Sequence, residues 1–288
     1  MVVDDAPVLP RRRLRAELKR ARQHSGLTQE QAANQLYWSE SKIIRIENGA
    51  SGVSVTDVKA LLDLYGVTDP GQVNLLVKLA QAARKRSPLG AYRDVAPQSL
   101  LQLIEYESVA SAIRQFETVF IPGILQTADY ARAVIENYYY DEQPESSRLR
   151  ALVELRLRRN ALFDSDDAPS FHFMLDEAVV RRLVGGASAM RRQLERLIEV
   201  ADKPNVVVDI IPFSAGLNPG MRNPFEIIEF SDPSESDIVF MESRRGDIIS
   251  DVTEETLSYR EAFAELGKAS LGPRDSLTQL ARIADEMM

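Results

Sequence analysis

The stretch from Arg11 to about Lys85 is punctuated so often by helix start and stop residues that only short helices fit it. Leu14, Leu18 and Ala21 recur at helical spacing, and Gly26 ends that first helix. Thr28 predicts the N-cap of a second helix reaching Leu36, and Ser39 that of a third reaching Asn48. Gly49 then sits just past the third helix, where a left-handed residue is favoured. Ser54 starts a fourth, whose Val58, Leu61, Leu62 and Tyr65 form an apolar stripe closed by Gly66. A fifth, from about Pro70 to Lys85, carries Val73, Leu76, Val77 and Ala80.

Beyond this region the grammar changes. Ser87-Pro88, Gly90 and Pro97 mark a linker, so the expected organisation is a disordered 1–10, a helical 11–85, a linker 86–97 and a second domain 98–288. Strand-like runs occur at Phe171 to Leu175, Val206 to Ile211, Phe225 to Phe230 and Ile238 to Met241. Helical periodicity occurs at Ala128 to Tyr138, Arg148 to Leu162, Met190 to Ala201, Thr256 to Leu266 and Leu277 to Met287. The fold class is therefore α+β and multidomain, a five-helix N-terminal domain followed by a mixed α/β C-terminal domain.

Charge divides along the same line. The chain carries a formal net charge of -8, yet residues 1–88 hold 14 Lys and Arg against 9 Asp and Glu, and the other 200 residues hold 21 against 34. A basic head on an acidic body is drawn to nucleic acid at one end and repelled at the other. With no cysteine there is no disulfide, thiolate nucleophile or cysteine-based zinc site. No signal peptide and no run of about 18 apolar residues is present, so a cytoplasmic protein without membrane contact is expected.

Leu27 to Gly49 has the spacing of two short helices joined by a tight turn, the second exposing its N-terminal residues. Ala33 is small where two helices approach. Leu36, Trp38, Ile43 and Ile46 supply an inward face, which leaves Glu40, Ser41, Lys42, Ile44, Arg45 and Asn48 outside or at the edge. On that outer face Arg45 suits guanine O6 and N7, Ser41 either type of base, and Glu40 the amino group of cytosine. Thr28 and Gln29 stand at a helix N-terminus, where donors suit a phosphate.

The Leu27-Thr28-Gln29-Glu30 opening, Ala33, Leu36, Ser39, Ile43 and the Arg45-Ile46-Glu47-Asn48-Gly49 ending resemble the phage Cro and lambda-repressor type of helix-turn-helix protein, the XRE family. That resemblance implies a lambda-repressor-like DNA-binding fold, phosphate contact from Gln29, base contact from Glu40, Ser41 and Arg45, and Lys42 and Asn48 near the DNA backbone. Tyr37 and Trp38 stand where the family pattern has glycine and a small aliphatic, which predicts a looser or rearranged turn. One recognition helix reads only a few base pairs, so a homodimer on double-stranded DNA is expected. Leu277, Leu280, Ile283, Ala284 and Met287 form a C-terminal stripe able to serve either that dimer or the core of its own domain.

In the second domain, Pro122 to Arg132, Asp176 to Arg182 with Gly185-Gly186, and Pro204 to Phe213 resemble a C-terminal domain of actinomycete XRE-class regulators, described as antitoxin-like. The resemblance implies a partner, a small protein encoded by a neighbouring gene, and assigns no reaction. Bottom-up, Pro122-Gly123 is a turn, Thr127 a helix cap, and Tyr130, Val134 and Ile135 face a core; the motif reads as structure before ligand site. Tyr138, Tyr139 and Tyr140 cannot share one aromatic face on a helix. Arg156, Arg158 and Arg159 read as a solvated helix face. His172 reads as the polar side of a strand, Asp176-Glu177 as a helix start, and Gly246 in Arg245-Gly246-Asp247 as a turn. No phosphate-binding glycine loop occurs, so neither an enzyme nor a cofactor is indicated, while a pocket for a small metabolite stays open as the alternative use of this domain.

Overall fold

The computed structural model describes residues 6–49, 52–85, 87–139, 145–243 and 246–287. They fall into two compact units that divide between Gly90 and Ala91.

The first unit is helical: α1 (Val8–His24), α2 (Gln29–Leu36), α3 (Glu40–Glu47), α4 (Val55–Leu64) and α5 (Pro70–Ala83). Helix α1 starts within the segment expected to be disordered, because Val8 is buried and Arg11 donates from Nε to the Ala83 carbonyl at 2.9 Å, tying it to the last turn of α5. Thr28 forms a reciprocal capping box with Gln31, and Ser54 and Asp69 each accept a backbone N–H at the starts of α4 and α5. Ser39 occupies the N-cap position of α3 without a side-chain bond. Leu14, Leu18, Ala33, Ile43, Leu61 and Leu76 meet in one core, against which Leu36 and Trp38 pack partly buried.

The turn between α2 and α3 is not rearranged. Tyr37 itself takes the left-handed conformation, φ 55 and ψ 34, and the Trp38 N–H donates to the Ala33 carbonyl at 2.9 Å. The Tyr37 side chain is 97% exposed, so nothing but local backbone strain opposes the arrangement. Tyr37→Gly is expected to stabilise this domain by about 0.5–1 kcal/mol, the relieved strain exceeding the added unfolded-state entropy; chemical denaturation followed by tryptophan fluorescence measures it.

The second unit holds a six-stranded mixed sheet in the order β3-β2-β1-β4-β5-β6. The strands are β1 (Ala112–Glu117), β2 (Ser170–Asp176), β3 (Val206–Ile211), β4 (Phe225–Glu229), β5 (Ile238–Met241) and β6 (Ile248–Ser250). β1, β2 and β3 run parallel, and β4 to β6 continue antiparallel from β1. The helices are α6 (Gln98–Glu107), α7 (Ala128–Tyr138), α8 (Ser146–Arg158), α9 (Glu177–Arg181), α10 (Ala187–Ala201), α11 (Thr253–Ala269) and α12 (Pro273–Glu286).

Successive strand residues face opposite sides. Phe116, Met174, Ile211, Ile227 and Val239 thus share one face, which packs on Phe263 and Leu266 of α11. Part of the C-terminal stripe packs in its own domain: Leu280, Ile283 and Ala284 are buried, and Ser276 in the first turn of α12 accepts the Ile210 N–H of β3 at 2.8 Å. Leu277 and Met287 of the same stripe stay partly exposed. Among the described residues no helix is long and apolar enough to cross a membrane.

Candidate functional site

In the helical unit the outer face of α3 presents Glu40, Ser41 and Arg45, all exposed; Arg45 Nε donates only to the Ser41 carbonyl, at 3.3 Å, one turn back. Ile43 and Ile46 hold the opposite face in the core. What fixes the helix is a charged network that sequence reasoning missed. Glu47, nearly buried, accepts from Arg22 Nε at 2.6 Å and Nη2 at 3.0 Å, and from Gln29 Nε2 at 2.8 Å. Arg22 also donates to the Leu27 carbonyl at 2.7 Å. Its hydrogen bonds to Glu47 hold the guanidinium proton more firmly than usual, against the cost of burial. One carboxylate therefore joins α1, the start of α2 and the end of α3.

The residues expected at phosphates divide. Thr28 is spent on its capping box and stays exposed, while Gln29 is oriented by Glu47. Asn48 is exposed and its carbonyl accepts from Arg15 at 3.4 Å. Lys42 is tied down twice: Nζ lies 2.9 Å from Asp57 Oδ1 of α4 and 3.4 Å from the centroid of the Trp38 ring. Although partial burial pulls the other way, hydrogen bonds from Lys42 and Ser54 lower the Asp57 carboxyl below its usual range. Lys42 thus braces the turn. The basic first helix is likewise less available than its charge implies, since Arg12 is buried, Arg22 is turned to Glu47, and Arg11 bonds the Ala83 and Lys85 carbonyls.

The second unit contains a cavity of about 160 Å³ on the sheet face opposite α11, with walls from α6, α7 and α8. Its floor follows from strand register. Gln115 and Glu117 lie two apart on β1, Glu226 of β4 pairs with Gln115, and Phe240 of β5 pairs with Glu226. Arg159, expected on a solvated face, is buried, donating to both carboxylate oxygens of Glu107. A β-carbon on Gly123 would lie 2.7 Å from its Nη1, so glycine there makes room for the guanidinium. Arg156 is half-buried and donates to Gln126 Oε1 at 2.8 Å; burial, then the neighbouring Arg159 charge, lowers it to about 10. Only Arg158 keeps the exposed position expected for all three.

Enclosure acts on the floor carboxyls. Burial, reinforced by the charge of Glu242 at the mouth, pushes Glu117 up to about 8. Burial and the Glu107 charge raise Glu226 well above the ordinary range. The helix beginning at Ala128, read as structure, does bury Tyr130, Val134 and Ile135, but Val134 and Ile135 also line the cavity together with Gly123 and Gln126. Thr127 stands at its N-cap position without a side-chain bond; its N–H donates to Gln193. Tyr138 and Tyr139 meet edge to face, 5.1 Å between centroids, at the same cavity; Tyr140 lies outside the described residues.

The remaining candidates have structural roles. His172 Nε2 lies 2.8 Å from Asp209 Oδ2 and its ring meets Phe263 of α11. Asp176 accepts the Ala178 N–H at the start of α9, and Glu177 pairs with Arg181 and accepts the Phe213 N–H. Gly246 has φ 119, as a turn requires; Arg245 lies outside the described residues.

Residues 13–76 match a family model described as a helix-turn-helix domain, and residues 100–282 match one described as a domain of unknown function (DUF5753). No curated protein and no solved structure matches the chain.

Proposed function

From the premise that this chain belongs to the DUF5753 family and carries a helix-turn-helix domain ahead of that region, we propose that it is a sequence-specific transcription regulator of the XRE type, acting in the cytoplasm as a homodimer on double-stranded DNA. The observation that carries the reading is the exposed Glu40, Ser41 and Arg45 edge of α3, held by the buried Arg22–Glu47–Gln29 network. In this reading those three residues contact base edges, and Gln29, with Thr28 and Asn48 beside it, contacts phosphates. Lys42 contributes by bracing the turn and adds charge near the DNA backbone. Two half-sites about 34–36 Å apart are the matching operator geometry. Footprinting on the protein's own promoter and across the genome tests this; no protected pseudo-palindrome anywhere would sink it.

Arg45→Ala is expected to relax discrimination at one base-pair position by about 1–3 kcal/mol while leaving the salt dependence nearly unchanged. Binding of scrambled-position operators at several salt concentrations measures it, and an equal loss on every sequence would remove Arg45 as a reader.

For the acidic second domain we propose a regulatory role without a reaction, antitoxin-like in that it captures a small partner protein from a neighbouring gene. Co-purification from the native host tests capture, and recovery of the homodimer alone counts against it. The enclosed polar cavity favours a second reading, in which this domain senses a small metabolite and alters DNA affinity.

A further inference from the structure

A sheet face covered by helices is ordinarily apolar. Here the covered face of β1 and β4 carries Gln115, Glu117 and Glu226. Gln115 is 7% exposed and Glu226 1%, and among the described residues Oε1 of each has no hydrogen-bond partner. Buried polar atoms are almost always paired, so two unpaired ones side by side on a cavity floor mark a position built for something else.

The chemistry of that something follows from what is missing. Both orphan atoms are acceptors. The Gln115 amide nitrogen donates to Glu117 Oε1 at 2.9 Å and so is turned toward Glu117. Among the described residues the two guanidinium groups at the cavity donate elsewhere, Arg159 to Glu107 and Arg156 to Gln126. Arg159 is paired with Glu107, and among the described residues Arg156 then shares the cavity with four carboxyl groups, those of Glu117, Glu226, Glu242 and Asp247. Asp247 is held by Ser99, whose hydroxyl donates at 2.5 Å. Ile104, Phe120, Ile135, Leu152 and Phe240 give the cavity apolar walls, and the Tyr138 and Tyr139 rings stand at it. Its volume, about 160 Å³, is close to that of the ~150 Å³ cavities that admit a benzene-sized molecule.

We propose that this cavity binds a compact organic cation, an amine or amidine on a small apolar body, whose nitrogen donates to Gln115 Oε1 and Glu226 Oε1 beside the Glu117 carboxylate. The inference deepens the sensing reading by naming the ligand class. The binding itself stands whether or not it alters DNA affinity.

Proton linkage supplies a signature that general stickiness lacks. Burial, with the Glu242 charge, pushes Glu117 up to about 8, so it is mostly protonated at pH 7. A bound cation favours its carboxylate, as it does that of Glu226; Arg156 and Arg159 act in the same direction and the charges of Glu242 and Glu107 oppose it, with Asp247 and the neutral Tyr130 nearby. Cation binding therefore releases protons, and affinity rises as pH increases from 6 to 8.

The test is calorimetric titration of the full-length protein, without DNA, using benzylamine, n-butylamine, benzyl alcohol and benzoate. The amines are expected to bind one per chain with a dissociation constant on the order of 0.1 mM. The alcohol and the carboxylate should bind at least about tenfold more weakly. Repeating the amine titration at pH 7 in buffers of different ionisation enthalpy should reveal proton release. Glu226→Gln, nearly isosteric with the protonated acid, should weaken the amines about tenfold without shifting the melting profile. If that variant fails to fold, proton release by the unaltered protein decides the matter. Failure of both amines to bind, benzoate binding as tightly as benzylamine, or amine binding without proton release would each overturn the proposal. Because no DNA is present, a negative result leaves the DNA-binding reading standing, and an unprotected operator leaves this assay informative.

Discussion

Glu47→Ala is expected to cost the helix-turn-helix domain about 3–5 kcal/mol and abolish operator binding. The reason is what the substitution strands. Arg22 is mostly buried and donates two of its three hydrogen bonds to the Glu47 carboxylate, so on loss of that carboxylate the arginine charge stays in place without compensation. Gln29 loses its orienting partner at the same time, and with it the start of α2 loses its tie to the end of α3. Glu47→Gln keeps shape and some hydrogen bonding but removes the charge, and an intermediate loss is expected. Trp38 is the single tryptophan and packs against the helical core, so its fluorescence follows unfolding of this domain alone. A Glu47→Ala denaturation midpoint equal to wild type would show that the network contributes nothing net.

The helical domain was largely legible because its signals are local. Thr28, Ser54 and Asp69 cap through their own side chains, and Gly49 and Gly66 sit at positive φ after their helices. The charge count was less informative than it looked. It registered seven basic residues along α1 but not that Arg22 answers a carboxylate 25 positions away, which local pattern cannot reveal. The turn departs from expectation for a simple reason: a tyrosine whose ring reaches only solvent can hold a left-handed backbone when the Trp38 and Ala33 hydrogen bond closes beneath it.

In the second domain β2 to β5 were readable as β-branched and aromatic runs, whereas β1 was not. Its Ala-Ile-Arg-Gln-Phe-Glu sequence sets Arg114 beside Gln115 and so breaks the polar and apolar alternation of a strand, yet it lies inside the sheet between β2 and β4. The two facts have one cause, since Gln115 and Glu117 line a cavity instead of a packed helix. The feature that hid the strand is the feature that marks the site. Helix α6 escaped notice behind Pro97, with no capping side chain to announce it, and β6 is only three residues long. The cavity draws on six separate elements, so no window of sequence contains it.

Arg159→Met is expected to destabilise the sheet domain by about 3–5 kcal/mol, comparable to Glu47→Ala in the other unit. Glu107, 2% exposed, then remains without the guanidinium that satisfies both of its oxygens, and Glu226 stands beside it. The Glu107→Leu/Arg159→Met double variant distinguishes this from simple loss of packing. Removing both charges from an enclosed site removes their desolvation cost too, so the double variant should recover at least about half of the loss. Hydrogen exchange of the β1 and β4 amides, whose ladder carries the cavity floor, reads the stability of this domain directly. A double variant as unstable as Arg159→Met would mean that the arginine acts through its aliphatic stem, and the pair would then be a spacer for the cavity wall instead of the charge that sets the potential of its floor.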